Sequence, residues 1–477
     1  MTPPVRPPRV AVVGAGISGL TAAHRLRALL GPTAAITVVE QTDRPGGKLH
    51  TTEVGGLRVD LGAEAYLHRR PEVTDLLAEL GLAGRAAHPA TARSTVRAGG
   101  VTRLIPGGTV MGVPTTATAV ADLLTDDARA RVAAEPDLPG LDWSGDAALG
   151  PLLRARFGDE LTDRLVDPLL GGVYAGGVDG LGLRATMPGL ATALDDGATS
   201  LTAAAAASAP TPSGGPVFGT VDTGLGTLVD ALVASSAADL RLGTTVRRLE
   251  RTAAGWRLHL GANAPAHAPN APAPALDADA VVLAVPAPAA RKLLDGVVPA
   301  ASAAYAEVEV ASMAVVALVL PAGTELPGTN GVLLAAGERK LDGTPFAAKA
   351  FTFSHTKWPH LRAAGPVLVR GSVGRHRDPG ALRADDDELV RLVRADFTEL
   401  TGVGAPPIDT AVRRWGGGLP QYGVGHTALV ERVERAVAAE PGLAVAGATL
   451  HGVGLPACVA TGDAAARRVA GHVTGNA

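Results

Sequence analysis

The stretch Val10-Ala11-Val12-Val13-Gly14-Ala15-Gly16-Ile17-Ser18-Gly19-Leu20 decides the fold of this 477-residue chain. Its first four residues predict a short buried strand, three glycines follow at the spacing G-x-G-x-x-G, and Leu20–Leu30 predicts a helix. Gly14 permits a tight turn, Gly16 lets the backbone approach a pyrophosphate, and Gly19 lets the helix pack against the strand. The helix N-terminus then offers N–H groups and a positive dipole end to an anion.

A second strand, Ile36–Val39, follows the helix and ends at Glu40, which lies 21 residues after Gly19. A Rossmann unit places the acid that binds a ribose diol at this distance. A lone G-x-G-x-x-G motif is weak evidence, but here strand, helix, second strand and acid occur in order. They predict dinucleotide binding, whereas an ordinary glycine-rich βαβ turn would leave Glu40 without a role.

Composition narrows the class of protein. The length predicts two or three domains, and the net charge of −3 without a Lys/Arg tract argues against a nucleic-acid partner. No apolar run is long enough to span a bilayer, and the N-terminal residues lack the apolar core of a signal peptide. A single cysteine excludes an internal disulfide framework, and no Cys/His cluster has metal-ligand spacing. We therefore expect a cytoplasmic protein without a metal.

The segment Arg44-Pro45-Gly46-Gly47-Lys48 directly follows the ribose-binding acid. It resembles the second signature of the glutathione-reductase-type flavoproteins, in the branch that contains amine oxidases and porphyrinogen oxidases. A bare backbone suits a diphosphate, and one lysine offsets its charge. Asp60-Leu61-Gly62 with Glu64 resembles the loop that passes over the flavin in that family. The alternative for the glycine pair is a turn with a solvated lysine.

Three later strings narrow the resemblance to bacterial porphyrinogen oxidases. Gly171-Gly172-Val173-Tyr174-Ala175-Gly176 is similar to a family loop that borders the substrate cavity. Trp415 with Leu419-Pro420-Gln421-Tyr422-Gly423-Val424-Gly425-His426 resembles a string specific to these oxidases. Leu450–Cys458 resembles the closing flavin motif, whose helix N-terminus faces the isoalloxazine. The resemblance covers almost the whole chain.

The resemblance implies a non-covalent FAD and a set of residues that bind it. Cys458 fits its family position without a covalent link, as a small buried hydrophobe. The implied cofactor-binding residues are Gly14, Ala15, Gly16, Ile17, Ser18, Gly19, Glu40, Gln41, Gly47, Lys48, Gly62, Ala63, Glu64, Ala65, Val246, Trp415, Ala448, Val453, Gly454 and Leu455.

The implied reaction is a six-electron oxidation of a porphyrinogen to a porphyrin, with O2 as acceptor and hydrogen peroxide as product. It proceeds in three two-electron steps to flavin N5, so the cofactor carries the redox chemistry. The sequence offers no acid–base constellation, and Arg70 and Gly172 are the only candidates for a direct catalytic role. The candidate substrate-binding residues are Arg69, Arg70, Gly172, Tyr174, Tyr422 and His426.

The sequence is compatible with two porphyrinogen substrates. The Ala/Gly/Pro/Arg-rich composition is typical of a GC-rich genome, and such Gram-positive lineages use the four-propionate coproporphyrinogen III. Protoporphyrinogen IX is the alternative. A flavin amine oxidase, a carotenoid desaturase and a non-catalytic binding protein on the same fold are further alternatives. The flavin motifs argue against the last, and the sequence leaves peripheral membrane association and oligomeric state open.

The predicted fold class is α/β, with a glutathione-reductase-type Rossmann FAD domain, a discontinuous α+β substrate domain and a helical lobe. The FAD domain is predicted to comprise residues 8–62, 218–288 and 436–477. The substrate domain should take 63–95, 208–217 and 289–435, and the lobe 96–207. Locally, Leu201–Gly215 is predicted to be a surface loop, and Ala262–Ala275 an Ala/Pro-rich hairpin insertion.

Overall fold

The computed structural model describes residues 6–90, 93–210, 215–262, 274–363 and 365–475. The predicted insertion at 262–275 lies almost entirely outside these residues. The strands are β1 (Arg9–Val13), β2 (Ala35–Val39), β3 (Thr51–Val54), β4 (Leu57–Asp60), β5 (Tyr66–Leu67), β6 (Ala86–Ala87), β7 (Thr95–Ala98), β8 (Val101–Leu104), β9 (Thr109–Val110), β10 (Val113–Pro114), β11 (Phe218–Val221), β12 (Asp239–Arg241), β13 (Thr244–Thr252), β14 (Gly255–Ala262), β15 (Ala275–Ala278), β16 (Ala280–Leu283), β17 (Val310–Leu320), β18 (Gly331–Leu334), β19 (Ala348–Thr352), β20 (Val367–Val373), β21 (Asp409–Pro420) and β22 (Leu443–Val445).

Helices connect these strands and cover the sheets. They are α1 (Ile17–Leu30), α2 (Pro71–Glu79), α3 (Asp126–Ala134), α4 (Leu149–Phe157), α5 (Asp159–Leu161), α6 (Asp167–Tyr174), α7 (Leu183–Thr186), α8 (Pro188–Asp195), α9 (Leu201–Ser208), α10 (Gly226–Ser236), α11 (Ala287–Leu294), α12 (Pro299–Ala306), α13 (Ser354–Lys357), α14 (Pro359–Arg362), α15 (Asp386–Thr401), α16 (His426–Ala438) and α17 (Leu455–Thr474).

A five-stranded parallel sheet has the order β12-β2-β1-β16-β22. Its strands come from three segments that are far apart in the sequence. Along β1, Val10 and Val12 pack in the core formed with α1, α10 and α17, while Ala11 and Val13 pack in the core on the other face. Both faces are therefore covered, which explains the nearly continuous apolar sequence of β1.

The second large sheet is mixed and has seven strands in the order β21-β17-β20-β19-β18-β7-β8. Its pairs are antiparallel except for β7 and β18. Helix α15 covers one face through Val393 and Phe397, which pack on Phe351 and Val369. The β3–β4 hairpin covers part of the opposite face, so this sheet stands beside the segment that follows the glycine turn.

Helices α3–α9 form a lobe with its own apolar core. A buried ion pair joins Arg156 Nε to Glu135 Oε1 at 2.8 Å, and Glu135 also accepts the backbone N–H of Leu201 at 2.8 Å. The predicted loop over Leu201–Gly215 is wrong at its start, because α9 occupies Leu201–Ser208. The Ser200 side chain caps this helix by accepting the Ala203 N–H, and alanine has the highest helix propensity.

Candidate functional site

The glycine turn joins β1 to α1. Gly14 has φ of +102°, and a Cβ there would lie 2.5 Å from the Ala284 carbonyl oxygen. A Cβ on Gly19 would collide with the Gly14 carbonyl. A Cβ on Gly16 would meet no atom within 4 Å. Gly14 and Gly19 are therefore required by the fold, whereas the absent side chain of Gly16 leaves open space at the N-terminus of α1.

Glu40 is buried at the end of β2 and ties that strand to the glycine turn. Its Oε2 accepts the Ala15 N–H at 2.9 Å, and its Oε1 accepts the Thr42 N–H at 2.9 Å and the Thr42 hydroxyl at 2.8 Å. A carboxylate offers about four lone-pair sites. One acceptor site therefore remains for a ligand hydroxyl, while the neighbouring Gln41 is exposed.

The second glycine segment touches the first. The Gly46 N–H donates to the Ala15 carbonyl at 2.7 Å, and a Cβ on Gly47 would lie 3.1 Å from Gly16 Cα. Lys48 follows, and burial lowers the pKa of its ammonium group. Two bare backbone segments thus meet at Gly16, and Lys48 directly follows the second of them, which is the environment expected for a diphosphate.

The loop after β4 lies directly on this segment. The Ala63 N–H donates to the Lys48 carbonyl at 3.1 Å, and a Cβ on Gly62 would collide with the same carbonyl. The Trp415 Nε1–H donates to the Leu61 carbonyl at 2.9 Å. This packing brings Trp415, from the far edge of the seven-stranded sheet, to the predicted cofactor residues Lys48, Gly62 and Ala63.

Glu64 anchors the loop to the sheet through cations that sequence reasoning missed. Its Oε1 lies 2.6 Å from Lys357 Nζ, and its Oε2 accepts hydrogen bonds from Arg370 and from the Ser354 hydroxyl. Arg370 also donates to the Gly62 carbonyl at 2.6 Å. Burial alone would raise the pKa of Glu64, but Lys357 and Arg370 outweigh it and lower the pKa to about 2. Glu64 is therefore ionised and tied into the fold, which makes it a support for the loop.

Tyr174, Tyr422 and His426 form a buried stack. The rings of Tyr422 and His426 lie 3.9 Å apart with an interplanar angle of 16°, and the Tyr174 and Tyr422 centroids are 5.5 Å apart. The Tyr422 hydroxyl donates to the Ala448 carbonyl at 2.6 Å, and His426 Nε2 lies 2.9 Å from the Thr449 carbonyl. Both polar tips thus hold the loop that precedes α17, and His426 carries a proton on Nε2.

The closing motif positions the start of α17. Gly454 is the N-cap residue and Leu455 the first helical residue, and Val453 packs against the lobe core that contains Tyr422. Burial raises the pKa of the Cys458 thiol, which lies in the first turn of α17. Val246, the remaining predicted cofactor residue, is buried near the start of β13, where the Thr244 N–H donates to the Glu40 carbonyl at 2.9 Å.

The seven-stranded sheet meets the lobe along a junction that we call the cleft. Leu333, Ala350 and Ser372 pair across β18, β19 and β20, and all three are half-buried on the face opposite α15. Toward β17, Val315 packs with the β3–β4 hairpin. Toward β7, Val96 is part of the lobe core. Leu333 itself packs against the lobe core, so the lobe lies directly on this part of the sheet.

Helix α6 forms the wall of the cleft on the lobe side. The predicted glycine loop at Gly171–Gly176 is wrong for its first four residues, because α6 continues to Tyr174 and ends at Ala175 in the left-handed conformation. Gly172 is exposed, and a Cβ there would lie 3.5 Å from Leu333 Cδ2. The structure therefore brings Gly172 to the cleft.

The predicted substrate-binding residues Arg69 and Arg70 lie on the surface. Arg69 and Arg70 are exposed just before α2, and Arg70 is ion-paired with Glu72. Arg70 thus has a protein carboxylate as its partner, whereas Gly172 is exposed beside Leu333. Among the described residues no group of His, Cys, Asp and Glu is arranged to hold a metal ion.

The chain belongs to the flavin-containing amine oxidoreductase family, whose model matches residues 17–470. A flavin is therefore its cofactor, and the open space at Gly16, the free acceptor site on Glu40 and the half-buried Lys48 fit the phosphate and ribose of a flavin nucleotide. The fold class predicted from the sequence is confirmed.

The chain is similar to coproporphyrinogen III oxidases along nearly its whole length. It is 44% identical to that of Mycobacterium tuberculosis (strain ATCC 25618 / H37Rv), with 94% of each chain covered. It is 32% identical to that of Bacillus subtilis (strain 168), with 96% of each covered. A crystal structure of a protein assigned as a protoporphyrinogen oxidase, from Exiguobacterium sp. 255-15, matches with a TM-score of 0.83 at 29% identity, covering 97% of this chain and 98% of that one. The resemblance to porphyrinogen oxidases is thus confirmed.

None of the described helices is both long and apolar enough to cross a bilayer. The cytoplasmic location expected from the sequence stays a prediction.

Proposed function

We propose that this chain is an oxygen-dependent coproporphyrinogen III oxidase. It converts coproporphyrinogen III and three O2 into coproporphyrin III and three H2O2, which balances the loss of six electrons and six protons. The observation that carries this proposal is the 44% identity to a coproporphyrinogen III oxidase over 94% of both chains. The packing of Val453, a predicted flavin-binding residue, against the same lobe core as Leu333 supports it, since the macrocycle must lie next to the flavin.

We further propose that the flavin is FAD, bound without a covalent link. Gly14–Gly19 with Lys48 would hold the diphosphate, Glu40 with Gln41 the ribose, and Val246 the adenine. The loop at 62–65, Trp415, Ala448 and residues 453–455 would surround the flavin ring. These residues would hold the flavin, whose chemistry when bound would be the acceptance of a hydride in each two-electron oxidation. Helix α17 would direct its positive N-terminal end at this ring and favour negative charge there.

The chain's own residues would bind and orient the macrocycle. The Gly172 carbonyl lies at the cleft and is our candidate acceptor for a pyrrole N–H. Arg69 and Arg70 remain candidates for propionates, although Arg70 must exchange Glu72 for such a partner. Tyr174, Tyr422 and His426 are buried, so we propose that they act by fixing the cleft wall and the loop before α17. No described side chain is assigned as an acid–base catalyst.

The predicted partition gives each region a role. Segments 8–62, 218–288 and 436–477 would bind FAD, and 63–95, 208–217 and 289–435 with the lobe at 96–207 would enclose the substrate. The five-stranded parallel sheet supports the first assignment because its strands come from all three FAD segments. The cleft between the mixed sheet and α6 supports the second.

Turnover of two substrates tests the proposed activity. We expect coproporphyrinogen III to be oxidised with a kcat/KM roughly tenfold or more above that of protoporphyrinogen IX, since two additional propionates can form charge-assisted bonds. Porphyrin fluorescence and peroxide release measure both reactions side by side. Equal kcat/KM, or a preference for protoporphyrinogen IX, would favour the second candidate, which the similarity to the Exiguobacterium structure keeps open. Turnover of amines alone would refute both.

Acid precipitation tests the cofactor link. We expect all of the flavin to appear in the supernatant as FAD, because the one cysteine, Cys458, is buried and protonated. The measurement is the absorbance and mass of the released flavin. A yellow pellet would show a covalent link and contradict the proposal.

A further inference from the structure

A lysine is buried in the wall of the cleft. Lys349 stands in β19 where the pairing with β20 shifts register between Ala348 and Ala350, and such irregularities re-aim a side chain. Its side chain is buried, and its Nζ donates to the Gly171 carbonyl of α6 at 3.0 Å. The ammonium group therefore lies between the sheet and α6, next to Gly172.

Among the described residues, Lys349 and Arg375 have no carboxylate in direct contact. Within the described part of the chain, no carboxylate lies within ion-pair distance of Lys349, and the charged group acting on it is Arg375. Burial, followed by the charge of Arg375, lowers the pKa of Lys349 to about 7. Asp167 and Asp378 act on Arg375, but among the described residues neither carboxylate lies within ion-pair distance of Arg375 or Lys349, and Asp167 Oδ1 accepts the Val178 N–H. Buried charges in proteins are normally paired in direct contact, and here neither cation has such a partner.

Lys349 is not needed to satisfy the carbonyl groups at the C-terminal end of α6. The Gly171 carbonyl already accepts the N–H of Ala175, at 3.0 Å, which closes the helix. An ammonium group has three donors, and the structure uses one of them. Arg375 likewise donates to the Leu334 carbonyl at 2.7 Å through one of its five N–H groups. Donors and positive charge are left over on both side chains.

We propose that Lys349 and Arg375 form a carboxylate-binding subsite in the cleft wall, which receives one propionate of the macrocycle. This inference rests on the proposed porphyrinogen substrate. Gly172, whose carbonyl is the candidate pyrrole acceptor, directly follows Gly171, the carbonyl to which Lys349 donates. A macrocycle held at Gly172 would therefore place a peripheral carboxylate near the two cations. Charge-assisted hydrogen bonds are about twice as strong as neutral ones.

Equilibrium binding of two porphyrins to the flavin-loaded enzyme tests the subsite. The probes are coproporphyrin III, which has four carboxylates, and its tetramethyl ester, both in the same detergent. We expect Lys349→Met to weaken binding of the tetra-acid roughly ten- to hundredfold and that of the ester less than about twofold. Lys292→Met, on the exposed side of α11, is the matched control and should change neither.

The possible results distinguish three cases: a carboxylate-binding role of Lys349, a purely structural role of Lys349, and failure of the proposed function itself. Equal weakening of both porphyrins by Lys349→Met would show a structural role, and unchanged binding of the tetra-acid would refute the subsite. If the Met variant loses its flavin, Arg375→Gln, which keeps a donor for Leu334, must give the same acid-specific loss or the subsite is refuted. Wild-type enzyme that binds no porphyrin and oxidises no porphyrinogen would instead refute the proposed function.

Discussion

Replacement of Gly16 by valine should give a folded protein that carries no flavin. Gly16 has φ of −73° and ψ of 176°, which any residue adopts, and a Cβ there meets no protein atom within 4 Å. The new side chain would occupy the space in which the diphosphate must approach the backbone. We expect flavin affinity to fall roughly hundredfold or more, by loss of about 3 kcal/mol of binding free energy. The ratio of flavin absorbance to protein absorbance measures it.

Two other glycines make this test specific. Gly84→Val is the matched control, since a Cβ there also meets open space, at an exposed site away from the turn. It should keep its flavin. Gly19→Val should instead misfold, because its Cβ would collide with the Gly14 carbonyl. A Gly16→Val protein with the wild-type flavin ratio and circular dichroism would contradict the assignment of this turn to the cofactor.

Local sequence was sufficient for the first βαβ unit. The strand, the glycine turn, the helix and Glu40 lie within 32 residues, and their hydrogen bonds join neighbouring segments. The predicted order of elements is therefore correct there, although α1 begins at Ile17 rather than at Leu20. The motif carries this information because Gly14 and Gly19 are required by short-range steric contacts within the unit.

Two loop predictions are wrong because residue composition alone does not determine local structure. Leu201–Ser208 was expected to be a loop on the basis of its Ala- and Ser-rich sequence, yet it has a capping serine and strong helix formers. Gly171 and Gly172 were predicted to lie in a loop. They continue α6, which packs on the mixed sheet at Leu333 and Arg375. Tertiary packing overrides propensity at both sites.

The polar environment of the site could not be read from the sequence. Lys357 and Arg370 lie about 300 residues after Glu64, and Lys349 meets Gly171 only because α6 packs on the mixed sheet. No periodicity or motif links these residues. Their partners depend on which strands become neighbours, and that is decided by the whole sheet.

The second large effect on stability is expected at Glu64, which is paired with Lys357 and Arg370. Glu64→Gln should lower the free energy of unfolding by about 3 kcal/mol at pH 7, because Lys357 and Arg370 would remain buried without their carboxylate. Urea unfolding of the flavin-loaded protein measures it. Glu53→Gln, the same substitution at an exposed site in β3, should change stability by less than about 0.5 kcal/mol.

The pH dependence separates this cluster from a general packing effect. The pKa of Glu64 is about 2 in the folded protein, against an ordinary value of 4.5, so ionised Glu64 stabilises the fold. Its stabilisation should be complete above pH 4.5 and disappear as the pH falls toward 2. The stability difference between wild type and Glu64→Gln should thus be constant from pH 7 to about 5 and then shrink by about 1.4 kcal/mol per pH unit. A difference that persists unchanged to pH 3.5 would show that the glutamine disturbs packing and that the ion pairs with Lys357 and Arg370 contribute little.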